Sequence, residues 1–369
     1  IKAFIECKSG HFKRGLRELA FLGGSMPQSM GMTECAQALH ASMVNALTAR
    51  GKQIPDDLQQ RCSDAVTIGY PGKFPPVRDL NQKAQFALRA VLGNTINSQV
   101  LDGACASSLY AVEHGVRALR DDSADLVWCG GFFMWGPIGQ VLFSKLGGLT
   151  STKCTPFDHS ADGTVFGDGA GIVALKRLVD AERDGDTILG LVSGVGAASD
   201  GRGKAVYAPN PKGQILAMRR AFEDAELLPS NIDYVLAHAT GTPVGDATEY
   251  GSLIAIYGGE EGRGESEIFL SSNKGNFGHL GWSAGVASVI QAILALREGV
   301  IPPQAGFERP NERIKLQEGP FKIVTKPTPW PPHANEPRRV GLSGFGFGGT
   351  NAHIIIEEYV GQNTTTSPQ

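Results

Sequence analysis

The chain has 369 residues, 41% of them hydrophobic and 19% charged, the composition of a globular protein with room for one large or two fused units. Lysine and arginine total 34 against 37 acidic residues, and the formal charge of −3 gives no basic footprint for nucleic acid or an anionic membrane surface. Six cysteines, at 7, 35, 62, 105, 129 and 154, contain no C-x-x-C pair and no tight framework; they read as free thiols in a reducing, cytoplasmic setting, and no structural metal is expected.

In the first ninety residues the stretch between two predicted helices is read mainly as loop, with Pro75-Pro76 among the turn signals. Amphipathic helices are predicted over Glu34 to Leu47, with Cys35, Leu39, Met43 and Leu47 on one stripe, and over Gln85 to Leu92. A strand over Ser98 to Ala104 then turns abruptly into a helix over Ala106 to Arg120, and a buried strand follows at Ala124 to Gly131. The most apolar window, Val127 to Phe143, holds Pro137, Gln140 and four glycines, so it is predicted to be a buried core segment and not a membrane span. Gly169 to Leu178 is a further strand.

The second half repeats the theme. A helix at Ile215 to Ala225 leads to a strand at Ile232 to Ala237, and a strand at Ile268 to Asn273 leads through glycines into a helix at Ser283 to Glu298. The last strand, Asn351 to Glu358, resembles Gly171 to Leu178. Strand, reactive turn and buried helix thus occur twice, around Cys105 and around His279, which implies two similar α/β halves with their reactive turns converging. The halves are expected at about 1–190 and 191–361, with 362–369 as a polar tail or linker; Ile1 at the start and the tail at the end look cut from something longer.

Cys105 carries most of the chemistry. A thiol in the first turn of a helix faces unpaired backbone N–H groups and the positive end of the helix dipole, which favours thiolate. His238 stands just after a strand, at the rim where α/β sheets bind ligands, and His279 lies in a similar glycine-rich turn. Gly344-x-Gly346-x-x-Gly349 fits a dinucleotide fingerprint literally, but it leads into a strand and opens no helix, so it is read as a loop that brings backbone N–H groups close to a bound oxygen.

Gly-Ala-Cys105-Ala-Ser-Ser-Leu, His238-Ala-Thr-Gly-Thr, Asn-Lys274-Gly-Asn-Phe-Gly-His279 and Gly-Phe-Gly-Phe347-Gly-Gly-Thr-Asn-Ala-His resemble, in order and spacing, the signatures of β-ketoacyl synthases. These are the condensing enzymes of fatty acid and polyketide synthesis. The resemblance runs from about Leu88 to Tyr359 and includes the Thr155 to Gly171 segment. It implies a thiolase-like five-layer αβαβα fold and a ketosynthase domain excised from a polyketide or polyunsaturated fatty acid synthase.

The resemblance also assigns roles. Cys105 takes an acyl chain from the phosphopantetheine of an acyl carrier protein. A malonyl-type extender then loses CO₂, His238 and His279 donate hydrogen bonds to the enolate oxygen, and the enolate attacks the acyl-cysteine. The N–H groups of Cys105 and Phe347 form a second oxyanion hole, and Phe347 gates the pocket. Lys274 orients the histidines with Glu249 as its partner, and Thr240 and Thr242 touch the pantetheine arm. The domain binds no cofactor or metal of its own. Its expected partners are the carrier protein, neighbouring synthase domains and a second copy of itself.

Against the family pattern, Leu236 replaces a common acidic residue, Ala239 a glycine, and Gly281-Trp282 an acidic-alanine pair; the opening strand with its glycine-rich turn is not recognised in the short N-terminal region. The alternative weighed most closely is a non-elongating domain that binds acyl chains or sets their length. A thiolase acting on coenzyme A esters lacks its second cysteine, since none follows Cys154, and a cysteine hydrolase lacks a water-activating group.

Overall fold

The computed structural model describes residues 1–6, 16–24, 88–89, 96–202, 205–259, 267–334 and 336–361. In chain order the first half contributes β1 (Lys2–Ile5), β2 (Glu18–Gly23), β3 (Asn97–Leu101), a 3₁₀ turn at Ala104–Ala106, α1 (Ser107–Arg120), β4 (Leu126–Phe133), α2 (Pro137–Lys145), β5 (Gly169–Arg177) and α3 (Leu178–Asp184). The second half contributes β6 (Ile188–Ser199), α4 (Pro211–Ala225), β7 (Tyr234–Leu236), α5 (Pro243–Tyr257), β8 (Ile268–Ser271), α6 (Lys274–Phe277), a 3₁₀ turn at Gly281–Ser283 and α7 (Ala284–Glu298). The strands β9 (Val300–Ile301), β10 (Phe321–Ile323), β11 (Thr328–Pro329), β12 (Arg339–Gly346) and β13 (Thr350–Glu357) complete it.

Eleven of these strands form one sheet in the order β10-β8-β7-β12-β13-β6-β1-β5-β4-β2-β3. From β1 outward the pairings run antiparallel to β5, antiparallel to β4, parallel to β2 and parallel to β3. From β6 outward they repeat: antiparallel to β13, antiparallel to β12, parallel to β7, parallel to β8. With the outer strand β10, which pairs parallel with β8, set aside, both halves of the sheet have the order 1-5-4-2-3, and the duplication read from element order is a duplication of topology. β1 and β6 pair antiparallel and join the halves.

The helices α1 and α7 lie between the two halves of the sheet, each packing on strands of both, while α4 and α5 cover the outer face of the second half and α3 packs on β1 and β5. This is the thiolase-like layering that the resemblance implies. The amphipathic pattern of α1 explains its position: Leu109, Val112, Val116 and Leu119 are all buried. Close approach of the two central helices requires Gly285, where a Cβ would lie 2.6 Å from the Leu109 side chain, and the Ser108 hydroxyl accepts the Val286 N–H at 3.0 Å.

Several expectations need correction. The opening strand is present: β1 is fully buried at the centre of the sheet, and β2 is a second strand in a stretch for which no element was predicted. The Val127–Phe143 window is buried only through β4; beyond it α2 exposes Val141 and Leu142, because the segment runs out of the sheet onto the surface. The strand before Cys105 ends at Leu101, not Ala104, and the helix proper starts one residue later than predicted, because a 3₁₀ turn intervenes. The helix expected at 34–47 and the tail 362–369 lie outside the described residues, as does all of the 85–92 helix except 88–89. Among the described residues no helix is long and apolar enough to cross a membrane.

Candidate active site

The Cys105 turn is built by short-range hydrogen bonds. Asp102 Oδ1 accepts the Ala104 N–H at 3.1 Å, and the Ser107 hydroxyl accepts the Gly103 N–H at 2.8 Å while donating to the Ala104 carbonyl at 2.6 Å. Ala104 takes φ of +48°, a left-handed conformation that a β-carbon disfavours, so the turn is held against its local preference. The glycine motif supplies part of that hold. A Cβ on Gly346 would stand 2.4 Å from the Gly103 carbonyl oxygen, and the Thr350 hydroxyl donates to the same oxygen at 2.6 Å. Gly344 and Gly346 let the β12–β13 hairpin close over the nucleophile turn, which is what the fingerprint-like spacing serves.

The histidines arrive from the second half. His238 follows β7, and its backbone is anchored from α5: the Glu249 carboxylate accepts the N–H groups of His238 and Ala239 at 2.8 and 2.6 Å. Asp246, one turn earlier in α5, accepts the N–H groups of Phe157 and Gly241 at 2.8 and 3.2 Å. His279 follows α6, and its backbone pairs with the strand-like segment at Phe166: its N–H donates to the Val165 carbonyl at 2.7 Å and its own carbonyl accepts the Gly167 N–H at 3.1 Å.

These elements bring His279 Nε2 to 3.0 Å from Cys105 Sγ. The His238 and His279 rings lie edge to face with centroids 5.5 Å apart. Cys105, His238, His279, Thr240, Thr242, Glu249 and Phe347 all line one cavity of about 400 Å³, so seven of the eight residues expected at the site share it. Lys274 is buried behind the cavity and donates to the Ala237 carbonyl at 3.3 Å. A larger groove of about 650 Å³ runs along α7, but Glu298 is the sole ionisable residue among its described lining, so the chemistry lies in the smaller cavity.

Two opposing influences act on the Cys105 thiol. Cys105 does sit in the first turn leading into a helix, yet burial pushes its thiol up to about 12, and the nearby Lys274 charge offsets this only in part. Part of its surface opens into the cavity, and the rest is packed against protein, which disfavours the charged form. Burial thus opposes the thiolate that the helix entrance favours. Burial and then Lys274 push His279 down to about 3, and burial, Lys274 and His279 hold His238 well below the usual range. Both imidazoles are neutral at pH 7.

Glu249 and Lys274 interact through charge and not through direct contact. No ion pair joins them among the described residues; Glu249 braces the His238 backbone instead, because its two oxygens are taken by the two N–H groups. The Glu249 charge still acts on Lys274 through space, opposing the burial that lowers the ammonium, and burial raises Glu249. Asp246, pushed up to about 7 by burial, was not singled out from the sequence; its place three residues before Glu249 on one face of α5 is the signal that could have found it. Phe143 and Phe166 were missed as well. Phe143 stacks on the Phe347 ring with centroids 5.3 Å apart, and Phe166 stacks on His279 at 5.0 Å. Among the described residues no cluster of three or more His, Cys, Asp or Glu could hold a metal ion.

A thiol beside a neutral imidazole, with a second imidazole aimed into the same cavity, can form a thioester and then stabilise negative charge on a bound oxygen. Comparison with known proteins agrees with that chemistry. The β-ketoacyl synthase N-terminal domain profile matches residues 90–181, the C-terminal domain profile residues 189–308, and the ketoacyl-synthetase C-terminal extension residues 310–369. The chain is 42% identical over 274 residues to a phenolphthiocerol/phthiocerol polyketide synthase of Mycobacterium bovis, covering 73% of this chain and 14% of that one. It is 40% identical over 273 residues to the 6-methylsalicylic acid synthase of Aspergillus niger, covering 72% and 15%. The chain thus spans about a seventh of the length of these relatives.

Among solved structures, an oxazolomycin ketosynthase domain of Streptomyces albus superposes with a TM-score of 0.79 at 28% identity, covering 96% of this chain and 57% of that one. The module 6 ketosynthase of the Bacillus subtilis bacillaene synthase gives 0.78 at 27%, covering 94% and 54%. With the duplicated thiolase-like sheet, the paired thiol and imidazole, and these matches in hand, the chain belongs to the β-ketoacyl synthase family and is a ketosynthase of the polyketide synthase type.

Proposed function

We propose that residues 1–361 form a condensing unit that loads an acyl chain onto Cys105 from an acyl carrier protein and extends it by decarboxylative Claisen condensation. The single observation that carries the reading is the 3.0 Å approach of His279 Nε2 to Cys105 Sγ in a cavity shared with His238. In the first step Sγ attacks the carbonyl of the acyl thioester, and its proton passes to the departing pantetheine sulfur. The raised thiol means that deprotonation accompanies attack, and the Nε2–H of neutral His279, 3.0 Å from Sγ, stabilises the charge that develops on sulfur.

In the second step the carrier-bound malonyl group loses CO₂, and its electron pair forms an enolate whose oxygen takes hydrogen bonds from the ring N–H groups of His238 and His279. The enolate carbon attacks the acyl-cysteine carbonyl, a C–C bond forms, the C–S bond breaks, and the released Cys105 sulfur takes up a proton. The N–H groups of Cys105 and Phe347 hold the oxygen of that tetrahedral intermediate. Thr240 and Thr242, whose hydroxyls lie 3.2 Å apart on the cavity wall, take the pantetheine arm. Lys274 and Glu249 act from behind, through charge and through the His238 backbone.

The partners of this reading are an acyl carrier protein, neighbouring synthase domains and a second copy of the chain. The test is to load Cys105 with an acyl-carrier thioester, add malonyl-carrier, and follow CO₂ release and product mass. Release of CO₂ with a product longer by two carbons is expected. Acylation without either would reject elongation.

A further inference from the structure

One ring nitrogen of His279 is buried and idle, since its Nδ1 has no hydrogen-bond partner. In most histidines that work through one ring nitrogen, the other is hydrogen-bonded, and that bond sets the ring's orientation. Here the backbone pairing with Val165 and Gly167 places the Cα of His279, but it leaves the ring plane free. Something else must hold it.

The flanking rings are placed to do so. Phe166 lies nearly parallel to the imidazole, 21° between planes with centroids 5.0 Å apart. Trp135 is stacked on Phe166 at 4.0 Å and 9°, and Phe143 meets it edge-on at 4.7 Å. Trp135 is itself tethered, since its backbone N–H donates to Asp168 Oδ1 at 2.5 Å. Phe166 thus sits among packed rings, and the His238 ring meets that of His279 edge to face.

We propose that Phe166 is a positioning residue: its ring, backed by Trp135, fixes the plane of the His279 imidazole so that Nε2 meets Cys105 Sγ. Stacking stands in for the missing hydrogen bond to Nδ1. The role in turnover rests on the assignment of His279 to the condensation; the role in orienting the ring toward the thiol does not.

The test compares Phe166→Leu, which removes the ring but keeps apolar bulk, with Phe166→Tyr, which keeps it, in native and His279→Ala chains. Two readouts are taken: alkylation of Cys105 by iodoacetamide, located by peptide mass, and CO₂ release from malonyl-carrier. In the native chain Phe166→Leu is expected to slow both by about fivefold to tenfold, lowering kcat with KM unchanged, and Phe166→Tyr to restore them. In the His279→Ala chain Phe166→Leu is expected to change alkylation no further, because the partner through which it acts is gone.

An equal fold loss in both backgrounds, or no loss in either, overturns the proposal. Full CO₂ release by His279→Ala alongside a coupled alkylation cycle would refute the condensation role and leave the ring-orienting role standing. Loss of CO₂ release by His279→Ala with an uncoupled alkylation cycle would overturn the ring-orienting role alone.

Discussion

The two reactive turns occupy equivalent places in the duplicated fold and carry different cargo. Each follows the third strand of its half and leads through a three-residue 3₁₀ turn into a central helix: Ala104-Cys105-Ala106 before α1, and Gly281-Trp282-Ser283 before α7. Even the backbones agree, with φ of +48° at Ala104 and +51° at Gly281. Trp282 therefore stands where the nucleophile stands in the other half. Its own half places its reactive groups, Lys274 and His279, ahead of that turn, on α6 and the loop after it. The same local shape holds a thiol at the helix entrance in one half and an indole in the other. The indole reaches back across the seam, donating to Asp102 Oδ1 at 2.7 Å, while His279 reaches Cys105.

The largest effect expected from this contrast concerns the thiol. Because burial outweighs the helix entrance, the Cys105 group stays protonated through neutral pH, and its alkylation rate should climb about tenfold per pH unit from 7 to 10. A plateau below pH 9 would mean that the entrance dominates after all.

Next comes the division of labour between the turns. His279→Ala is expected to cut CO₂ release by about a hundredfold or more and acylation much less, since its hydrogen bond is assigned to the enolate. Equal losses in the two steps would erase the division.

A smaller difference separates the shared left-handed residues. At Gly281 a Cβ would lie 2.7 Å from the Phe133 ring, so Gly281→Ala should cost about 2 kcal/mol or more in urea unfolding. Ala104→Gly should change stability by about 1 kcal/mol at most, because relief of the strained φ is offset by the glycine's greater freedom when unfolded. Similar costs at both positions would indicate that backbone conformation alone sets them. The smallest effect belongs to Trp282→Phe, which keeps the stack on Phe133 but loses the bond to Asp102; about 1 kcal/mol or less is expected in the same assay.

The sequence carried the core of the site well. Cys105, His238 and His279 each sit where a strand-like run meets a glycine-rich turn, and such short-range patterns survive into the fold. β1 was illegible because four residues, Lys-Ala-Phe-Ile, are too few to show a period, and all four are buried, so there is no alternation to see. Phe166, Asp246 and the Asp102–Trp282 bond were missed for a different reason. Their meaning lies in contacts between segments distant in sequence, and a phenylalanine among glycines looks the same whether it stacks on a histidine or on solvent-facing chain. The burial that opposes the thiolate was missed on the same ground: the helix entrance is visible in the chain order, whereas the walls of the cavity come from both halves.

The pairing of β1 with β6 has a mechanical consequence. Because the two halves share one continuous ladder of hydrogen bonds, the thiol on one side and the imidazoles on the other are cast in a single frame, without a hinge between them. The alignment of thiol and imidazoles is then a property of the resting molecule, and what changes at the cavity must come from side chains at its mouth.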